Sequence, residues 1–280
     1  MSIELPEAYI LATQMDRELK GKQIATIELK NYRNLQKLGC INRNLADYDR
    51  LIGGKIESVI SRGLLILVKI GGARNLLLAP EYGGRIHYHP KDSAFPNKFH
   101  LKLGFSDASA LTVALTGLGG IQALGDDELC RSYVYKRDFS AVPSPLSEKE
   151  FVFERFADGL AAKNANIKSA IVGKEALVVG LSNSAFQDII FRAKIHPKRK
   201  ASSLQDKEKI AIYQAMKGLV ADRIGAGGKN LFFDLYGKQG AYVPLMGPNL
   251  KSQTCTVCGV PVDVVSLGGG QVFFCPNCQT

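Results

Sequence analysis

Tryptophan is absent from this chain of 280 residues, and no apolar run approaches the ~18 residues that a membrane helix needs. The sequence therefore predicts no membrane span. A secretory signal peptide is not expected either, because the first twenty residues carry the acids Glu4, Glu7, Asp16 and Glu18. These absences together indicate an intracellular, cytoplasmic protein.

Acidic residues are in the minority: 26 Asp and Glu stand against 36 Lys and Arg, which gives a formal net charge of +10. A surplus of positive charge favours a polyanionic partner, although many basic proteins bind no particular anion. The hydrophobic share of 46% is that of a folded globular protein and excludes disorder and collagen-like repeats. The length is enough for two domains with cores of their own and one smaller module.

Cysteine is scarce as well, with six in the chain. Cys40 and Cys130 stand alone and are expected to be buried thiols. The other four form two Cys-x-x-Cys pairs separated by sixteen residues, namely Cys255, Cys258, Cys275 and Cys278. A tetrahedral Zn²⁺ needs four thiolates ~2.3 Å away, and a two-residue gap lets one turn present two sulfurs. The pattern predicts one structural Zn²⁺ on a hairpin with strands at residues 261–265 and 271–274; two disulfides or a redox-active pair are the alternatives.

The first part of the chain has the pattern of one helix followed by strands. Pro6 suits the first turn of a helix, apolar residues then repeat every three and four positions, and Gly21 ends the pattern. Short β-rich segments separated by turn residues follow, which is typical of an antiparallel sandwich or barrel. We assign strands to residues 24–29, 55–60, 64–70, 75–79, 85–88, 100–105 and 111–115. Residues 1–135 are thus predicted to form a helix-plus-β domain.

A linker and a helical domain come next. Pro143 and Pro145 disfavour helix and mark a linker at residues 136–146. Helical spacing returns in four segments, residues 151–162, 167–173, 182–193 and 205–224. The sequence therefore predicts an α+β multidomain protein, with a helical domain at residues 147–245 and a zinc finger at residues 246–280.

The most basic part of the helical domain follows a tight turn at Gly180. A helix that begins there points free amide groups outward, and such a helix N-terminus is a ready phosphate site. Asn183 is placed to add a side-chain donor beside these amides. Positive charge comes from Arg192, Lys194, Lys198, Arg199 and Lys200. The alternative is that this basic cluster is an ordinary solvated face.

Several motifs occur together along the chain: Glu4-Leu-Pro-Glu7 at the start, Gly180-x-x-Asn183 and Ile195-His-Pro197 in the helical domain, and the cysteine hairpin at the end. In this combination the chain resembles the formamidopyrimidine-DNA glycosylase and endonuclease VIII family. The resemblance implies an N-terminal β-sandwich flanked by helices, a helix–two-turn–helix domain and a zinc finger, with DNA held in the cleft between the domains. It also implies base-excision-repair chemistry: the enzyme flips a damaged base out of the duplex, attacks the sugar with an N-terminal amine and can then cleave the strand by β-elimination.

The resemblance assigns the catalytic roles to the first residues of the chain. An α-amino group titrates near ~7.7 to 8.0, so a useful fraction is neutral and nucleophilic at cellular pH. The amine of Ser2, exposed after removal of Met1, is therefore the predicted nucleophile. Glu4 is the predicted proton shuttle and Glu7 the second carboxylate of the site. The alternative for both is that they are ordinary first-turn acids favoured by the helix dipole.

The chain departs from the family pattern at the positions where the chemistry takes place. Ile3 stands where the family has its proline nucleophile, so the terminal amine is displaced. Leu64 stands near the place of the family's lysine, which leaves Arg62 as the nearest cation. Gly270 replaces the zinc-finger arginine that grips the lesion phosphate in the family. These losses put the catalytic part of the resemblance in question.

The device that fills the gap left by a flipped base has also changed. The family's arginine and phenylalanine loop has become Thr116-Gly-Leu-Gly-Gly120, and Tyr82 sits near the place of the intercalating methionine. This glycine-rich stretch is not a nucleotide-binding loop, because no helix follows it. The predicted DNA-binding residues are Arg62, Tyr82, Asn183, Lys198, Arg199 and Lys200.

Two main hypotheses on function follow. The first is a divergent DNA glycosylase, with an AP lyase step if an amine reaches the sugar. The second is a catalytically impaired relative that binds abasic, distorted or single-stranded nucleic acid without cutting it. A more distant third is an RNA-binding or ribosome-associated protein built on the same modules. We expect a monomer whose partner is duplex DNA with an abasic or damaged site, or a single strand, and which is associated with the nucleoid if the source is prokaryotic.

Overall fold

The structure, a computed structural model, describes residues 3–80, 84–116 and 119–280. Contacts between Cα atoms divide the chain into two units: Met1–Ser140 with Ala226–Ala241, and Ala141–Gly225 with Tyr242–Thr280. The segment Ala226–Ala241 thus belongs to the first unit by its contacts, although it follows the helices of the second unit in sequence. The domain boundaries predicted near residues 135, 146 and 245 stay a prediction.

The described residues of the first unit form one long α-helix, two short α-helices and eight strands, besides short 3-10 turns. Helix α1 (Leu5–Leu19) opens it, as Pro6 and the apolar spacing predict. The strands are β1 (Ile24–Leu29), β2 (Ile56–Arg62), β3 (Leu65–Ile70), β4 (Arg74–Ala79), β5 (Arg85–His89), β6 (Leu101–Phe105), β7 (Ala110–Ala114) and β8 (Gly120–Gly125). The short helices are α2 (Arg33–Lys37) and α3 (Tyr133–Asp138).

These strands form two four-stranded antiparallel sheets, one in the order β1-β6-β7-β5 and the other in the order β2-β3-β4-β8. The seven strands predicted from sequence are confirmed. Strand β8 was not predicted, because glycine at both ends and the polar Gln122 give it a weak strand pattern. Pairing with β4, with Leu77 opposite Gln122, makes it a strand, and such pairing is a tertiary effect.

The core of the first unit joins α1 to both sheets. Leu11 and Met15 of α1 are buried in one apolar cluster with Ile66 of the second sheet and Leu103 of the first. Burying such a side chain contributes about 1.5 to 3 kcal/mol relative to leaving it in water. The cluster also includes Phe232 and Leu235, whose burial holds the segment Ala226–Ala241 in this unit.

The second unit is helical and ends in a β-hairpin. Its helices are α4 (Phe153–Ala162), α5 (Ile167–Val172), α6 (Asn183–Arg192) and α7 (Asp206–Gly225), each within two residues of the predicted ends. The antiparallel hairpin consists of β9 (Asp263–Leu267) and β10 (Gly270–Phe274). The predicted α+β multidomain class is confirmed. None of the described helices has the length and hydrophobicity needed to cross a bilayer.

Candidate functional site

Two buried carboxylates lie at the start of α1. Glu4 directly precedes the helix, and Pro6 and Glu7 stand in its first turn. Both glutamate side chains are 0% exposed. Oε2 of Glu7 accepts a 3.0 Å hydrogen bond from the backbone N–H of Glu4, so the second carboxylate fixes the backbone that carries the first. The structure therefore brings together the two acids that the sequence singles out.

A lysine that the sequence analysis missed completes this cluster. Lys229 is 1% exposed, and its Nζ lies 3.0 Å from Oε2 of Glu4 and 3.9 Å from Oε2 of Glu7. Its backbone N–H also donates a 3.2 Å hydrogen bond to Oε1 of Glu7. Main chain and side chain of one residue thus contact both acids. We call Glu4, Glu7 and Lys229 the carboxylate–lysine cluster.

The three charged groups of this cluster are buried together. Two carboxylates and one ammonium have a formal sum of −1, and all three groups are buried. Removing charges from water costs several kcal/mol per ion, and the cost is recovered only where partners and hydrogen bonds are well placed. The 3.0 Å contact between Nζ of Lys229 and Oε2 of Glu4 offsets part of this cost.

Little in the sequence around Lys229 marks it as part of a site. It follows Gly225-Ala-Gly-Gly228, which ends a helical pattern, and it precedes apolar residues without clear periodicity. A lysine just before the apolar run Leu231-Phe-Phe233 is the one local hint of burial. Its contact with Glu4 depends on how residues more than 200 positions apart are packed, which no local pattern encodes.

The remaining predicted residues of the first unit lie elsewhere or outside the described residues. Ile3, in the place of the family's proline, is 4% exposed and belongs to the core. The backbone N–H of Leu64 donates to Asp138, and the Arg62 guanidinium donates a 3.2 Å hydrogen bond to the backbone carbonyl of Ser140. Ser2 and Tyr82 lie outside the described residues.

In the second unit, Asn183 meets the hairpin and a buried lysine. Nδ2 of Asn183, the first residue of α6, donates a 2.8 Å hydrogen bond to the backbone carbonyl of Gln271. Its Oδ1 is enclosed without a hydrogen-bond partner. Lys168 on α5 is 7% exposed and donates from Nζ to the carbonyl of Leu267, and burial lowers the pKa of its ammonium.

Gly270 stands between these two side chains. A Cβ at Gly270 would lie 3.5 Å from Nζ of Lys168 and 3.8 Å from Nδ2 of Asn183, which are ordinary contact distances. The position of the family's zinc-finger arginine therefore borders a lysine and an asparagine. We call Lys168, Asn183 and Gly270 the hairpin corner. Sequence analysis identified Asn183 and Gly270 but missed Lys168, because a lone lysine in the first turn of a short helix has no distinctive pattern.

The basic cluster after α6 divides into exposed and paired members. Lys194, Lys198 and Lys200 are exposed. Arg199 makes two hydrogen bonds to the carboxylate of Glu208, at 2.9 and 3.0 Å. Arg192 pairs with Asp188 and Asp222. The charge available to an external anion is thus carried by the lysines.

The four cysteines of the hairpin converge, with their Sγ atoms all within 4.8 Å of one another. The Sγ atoms of Cys258 and Cys275 are 3.4 Å apart, and those of Cys255 and Cys278 are 4.0 Å apart. A disulfide would need ~2.05 Å, whereas two thiolates on a tetrahedral Zn²⁺ are about 3.8 Å apart. The cluster can hold one metal ion, and the two-disulfide alternative is not what the structure contains. Of the two isolated cysteines, Cys40 is buried as expected but Cys130 is exposed.

The thiols of this cluster differ in acidity. The backbone N–H of Val260, more than any other group, lowers the pKa of Cys258 to about 6. Hydrogen bonding to Cys258 and burial raise the pKa of Cys278 to about 12. A divalent cation bound here would replace the thiol protons, because the thiolate is the form that binds metal.

Two family models match the chain. The formamidopyrimidine-DNA glycosylase N-terminal domain matches residues 3–116, and the formamidopyrimidine-DNA glycosylase H2TH domain matches residues 142–233. The first match contains Glu4 and Glu7. The second contains Lys168, Asn183 and Lys229.

Curated relatives and solved structures agree with these matches. Formamidopyrimidine-DNA glycosylase of Listeria innocua is 28% identical over 235 residues, 82% of this chain and 83% of the relative. The Streptococcus pneumoniae enzyme of the same name is 26% identical over 280 residues, 99% of this chain and 98% of the relative. A complex of Lactococcus lactis Fpg with DNA that contains an abasic site superposes with a TM-score of 0.85 at 21% identity, covering 99% of each chain. This structural similarity shows that the two chains share the same fold.

Proposed function

The chain belongs to the formamidopyrimidine-DNA glycosylase family, and from this premise we propose that it is a DNA glycosylase of base excision repair. Its substrate class is DNA that contains a damaged base or an abasic site, because its relatives are formamidopyrimidine-DNA glycosylases and the superposed complex contains DNA with an abasic site. The observation that carries the proposal is the contact of an amine with Glu4, 3.0 Å apart at the start of α1. An amine beside a carboxylate is the pair of groups that sugar attack requires.

The amine and the carboxylate of Glu4 have different roles in the proposed reaction. An amine attacks C1′ of the deoxyribose, and the bond to the base breaks. Glu4 moves the protons that opening of the sugar ring and strand cleavage require, and Glu7 holds the backbone of Glu4 in place. The terminal amine of Ser2, predicted from sequence as the nucleophile, stays a prediction.

The grip on DNA comes from the second unit in this proposal. Asn183 and Lys168 at the hairpin corner have polar atoms that suit a backbone phosphate, and Oδ1 of Asn183 suits a donor from a sugar or from an ordered water. Lys198 and Lys200 add attraction at longer range, while Arg199 is held by Glu208. Contacts of this kind position DNA and do not read its sequence.

The metal of the cysteine cluster is Zn²⁺ in this proposal. Four sulfur donors with separations of 3.4 to 4.0 Å between paired atoms fit a closed tetrahedral site, which leaves no open position for catalysis. Zn²⁺ would serve to hold the hairpin, and with it the backbone of Gln271 against Asn183. Cys255, Cys258, Cys275 and Cys278 would be its ligands.

Substrate preference follows from the cost of extruding a base. Flipping a nucleotide costs a few kcal/mol, and less where the base is missing or mispaired. The chain lacks the family's arginine and phenylalanine loop, so abasic and mispaired sites should be bound in preference to an intact oxidised-guanine pair.

A second candidate, binding without cleavage, is favoured by one observation. Glu4 is 0% exposed, so the substrate must displace covering groups before it can reach this carboxylate. Incubation with oligonucleotides that carry an abasic site or oxidised bases separates the two candidates, with a mobility shift and strand scission measured on the same samples. A shift without base release or scission would support the binder. Neither family model describes an RNA-binding module, so the third hypothesis is not carried forward.

A further inference from the structure

We infer that Lys229 is the amine that forms the Schiff base with the sugar in this protein. The inference rests on the proposed function and adds the identity of the nucleophile. The family's own amine precedes the motif glutamate directly, and in this chain that position is Ile3, whose side chain is buried in the core. The reaction needs an amine beside Glu4, and the structure has one there.

Lys229 differs from the other buried lysine in its partners. Among the lysines of the described residues, two are buried, Lys168 and Lys229. Lys168 donates to a backbone carbonyl, which cannot take its proton. Nζ of Lys229 lies 3.0 Å from a carboxylate oxygen that can. Glu4 therefore has the geometry of a base for this amine, since proton transfer needs about 2.6 to 3.2 Å between heavy atoms.

The two carboxylates of the cluster can stabilise a positive charge on Nζ of Lys229 both before attack and after the imine has formed. Before attack, an ammonium sits between Glu4 and Glu7; afterwards, a protonated imine would have the same charge of +1 on the same nitrogen. Carboxylates that are already in place stabilise the second cation without rearrangement. Lys229 also receives a fixed backbone position, because its N–H donates to Glu7.

With an abasic sugar the steps balance as follows. Glu4 takes one proton from the ammonium, and the freed lone pair of Nζ adds to the C1′ aldehyde. Glu4 gives this proton to the former carbonyl oxygen, then takes a second proton from nitrogen and passes it to the same oxygen, so that water leaves, Glu4 is a carboxylate again and a protonated imine remains. Loss of the C2′ proton to a base then breaks the C3′–O bond and releases the 3′ strand with its phosphate. No oxidant or reductant is consumed.

The backbone before Lys229 forms a turn that favours glycine. Gly227 and Gly228 have φ values of +70° and +95°, conformations that other residues rarely adopt. A Cβ at Gly228 would lie 2.4 Å from the ring of Phe232, so this glycine is needed for the packing as well. The turn therefore holds Nζ of Lys229 beside Glu4, where an entering sugar would meet it.

The test is borohydride trapping on an oligonucleotide with a single abasic site. Four proteins are compared: the unaltered chain, the chain with an added N-terminal residue, Lys229→Arg, and Lys102→Arg as a matched control at a surface lysine that pairs with Glu28. Arginine keeps the positive charge beside Glu4 but is not a nucleophile. We expect adduct yield to fall at least ~100-fold in Lys229→Arg and to persist in the other three. Affinity for an oligonucleotide with a reduced abasic analogue should change less than about twofold, because phosphates supply most of it.

Peptide mapping of the reduced adduct in the unaltered protein gives an answer even if Lys229→Arg fails to fold. An adduct on the peptide that contains Lys229 is expected. An adduct on the N-terminal peptide, lost when the terminus is extended, would overturn the inference and leave the proposed function standing. Binding without adduct, base release or scission would overturn both, with Lys229 then only a counter-ion for Glu4 and Glu7.

Discussion

The side-chain amide of Asn183 donates a 2.8 Å hydrogen bond to the backbone carbonyl of Gln271, which ties the first residue of α6 to the second strand of the cysteine hairpin. The bond links a predicted phosphate ligand to the cysteine cluster. Gln271 lies in β10, and Cys275 directly follows that strand. The metal and the residue at position 270 should therefore both affect how Asn183 binds DNA.

Removal of the metal should weaken DNA binding although no metal ligand touches DNA in this proposal. We expect one zinc per chain by metal analysis, and loss of zinc in Cys258→Ser with at least ~10-fold weaker binding to abasic DNA. The physical reason is loosening of β10 and of the Gln271 carbonyl that orients Asn183. Cys130→Ser, at an exposed cysteine outside the cluster, should keep both zinc and affinity. Well under one zinc per chain, with thiols oxidised in pairs, would contradict the proposal.

Gly270→Arg should strengthen binding by restoring a cation at the hairpin corner. The site has room, because a Cβ there meets its neighbours at 3.5 Å and beyond. One new phosphate contact should raise the slope of log affinity against log salt by about one unit. Gln271→Arg is the matched control, because it adds the same charge one residue further on, on the opposite face of the strand. Equal gains in both variants would mean that net charge alone is responsible.

The exposed lysines and the paired arginine of the basic cluster should behave differently. Lys198→Gln and Lys200→Gln should each weaken binding about equally on all sequences and reduce the salt slope by about one unit. Arg199→Gln removes the same charge but breaks the two hydrogen bonds to Glu208, so it should lower stability and leave the slope nearly unchanged. Affinity at low salt that is indifferent to both lysine changes would exclude this face as a DNA contact.

The stability of the first unit should fall as the pH drops from about 7 to 5. Nδ1 of His100 accepts a 2.9 Å hydrogen bond from the backbone N–H of Leu115, and burial lowers the pKa of this histidine. The folded state thus prefers the neutral ring, so the stabilisation is complete above the unfolded pKa near ~6.5 and is lost as pH falls through the folded pKa. Burial lowers the pKa values of His87 and His89 in the same direction.

His100→Asn separates the contribution of one histidine from that of the others. The asparagine oxygen can replace Nδ1 as the acceptor but does not titrate. Urea unfolding at several pH values should therefore show a shallower decline in the variant than in the unaltered chain. An unchanged pH dependence would mean that His100 does not couple folding to protons.

Much of the fold could be predicted because its signals are local. Apolar spacing predicted α1 and the four helices of the second unit, with helix ends within two residues of those observed. Short β-rich segments separated by turn residues predicted seven strands. The cysteine spacing alone predicted the cluster, since two short turns bring four sulfurs together whatever the rest of the chain does. Glu4 and Glu7 were found because the motif Glu4-Leu-Pro-Glu7 is one of those that carry the resemblance to the family.

Tertiary structure decided what stands beside these residues. Lys229 reaches Glu4 from 225 residues away, Lys168 reaches the carbonyl of Leu267 from 99 residues away, and β8 exists because β4 pairs with it. No short-range pattern records such contacts, because each depends on burying apolar surface of distant segments in a common core. The sequence by itself thus determined most of the helices and strands, the cysteine cluster and the two acids of this protein. The packing of the segment Ala226–Ala241 into the first unit brought Lys229 to those acids, because Phe232 and Leu235 of the same segment are buried in the core of that unit.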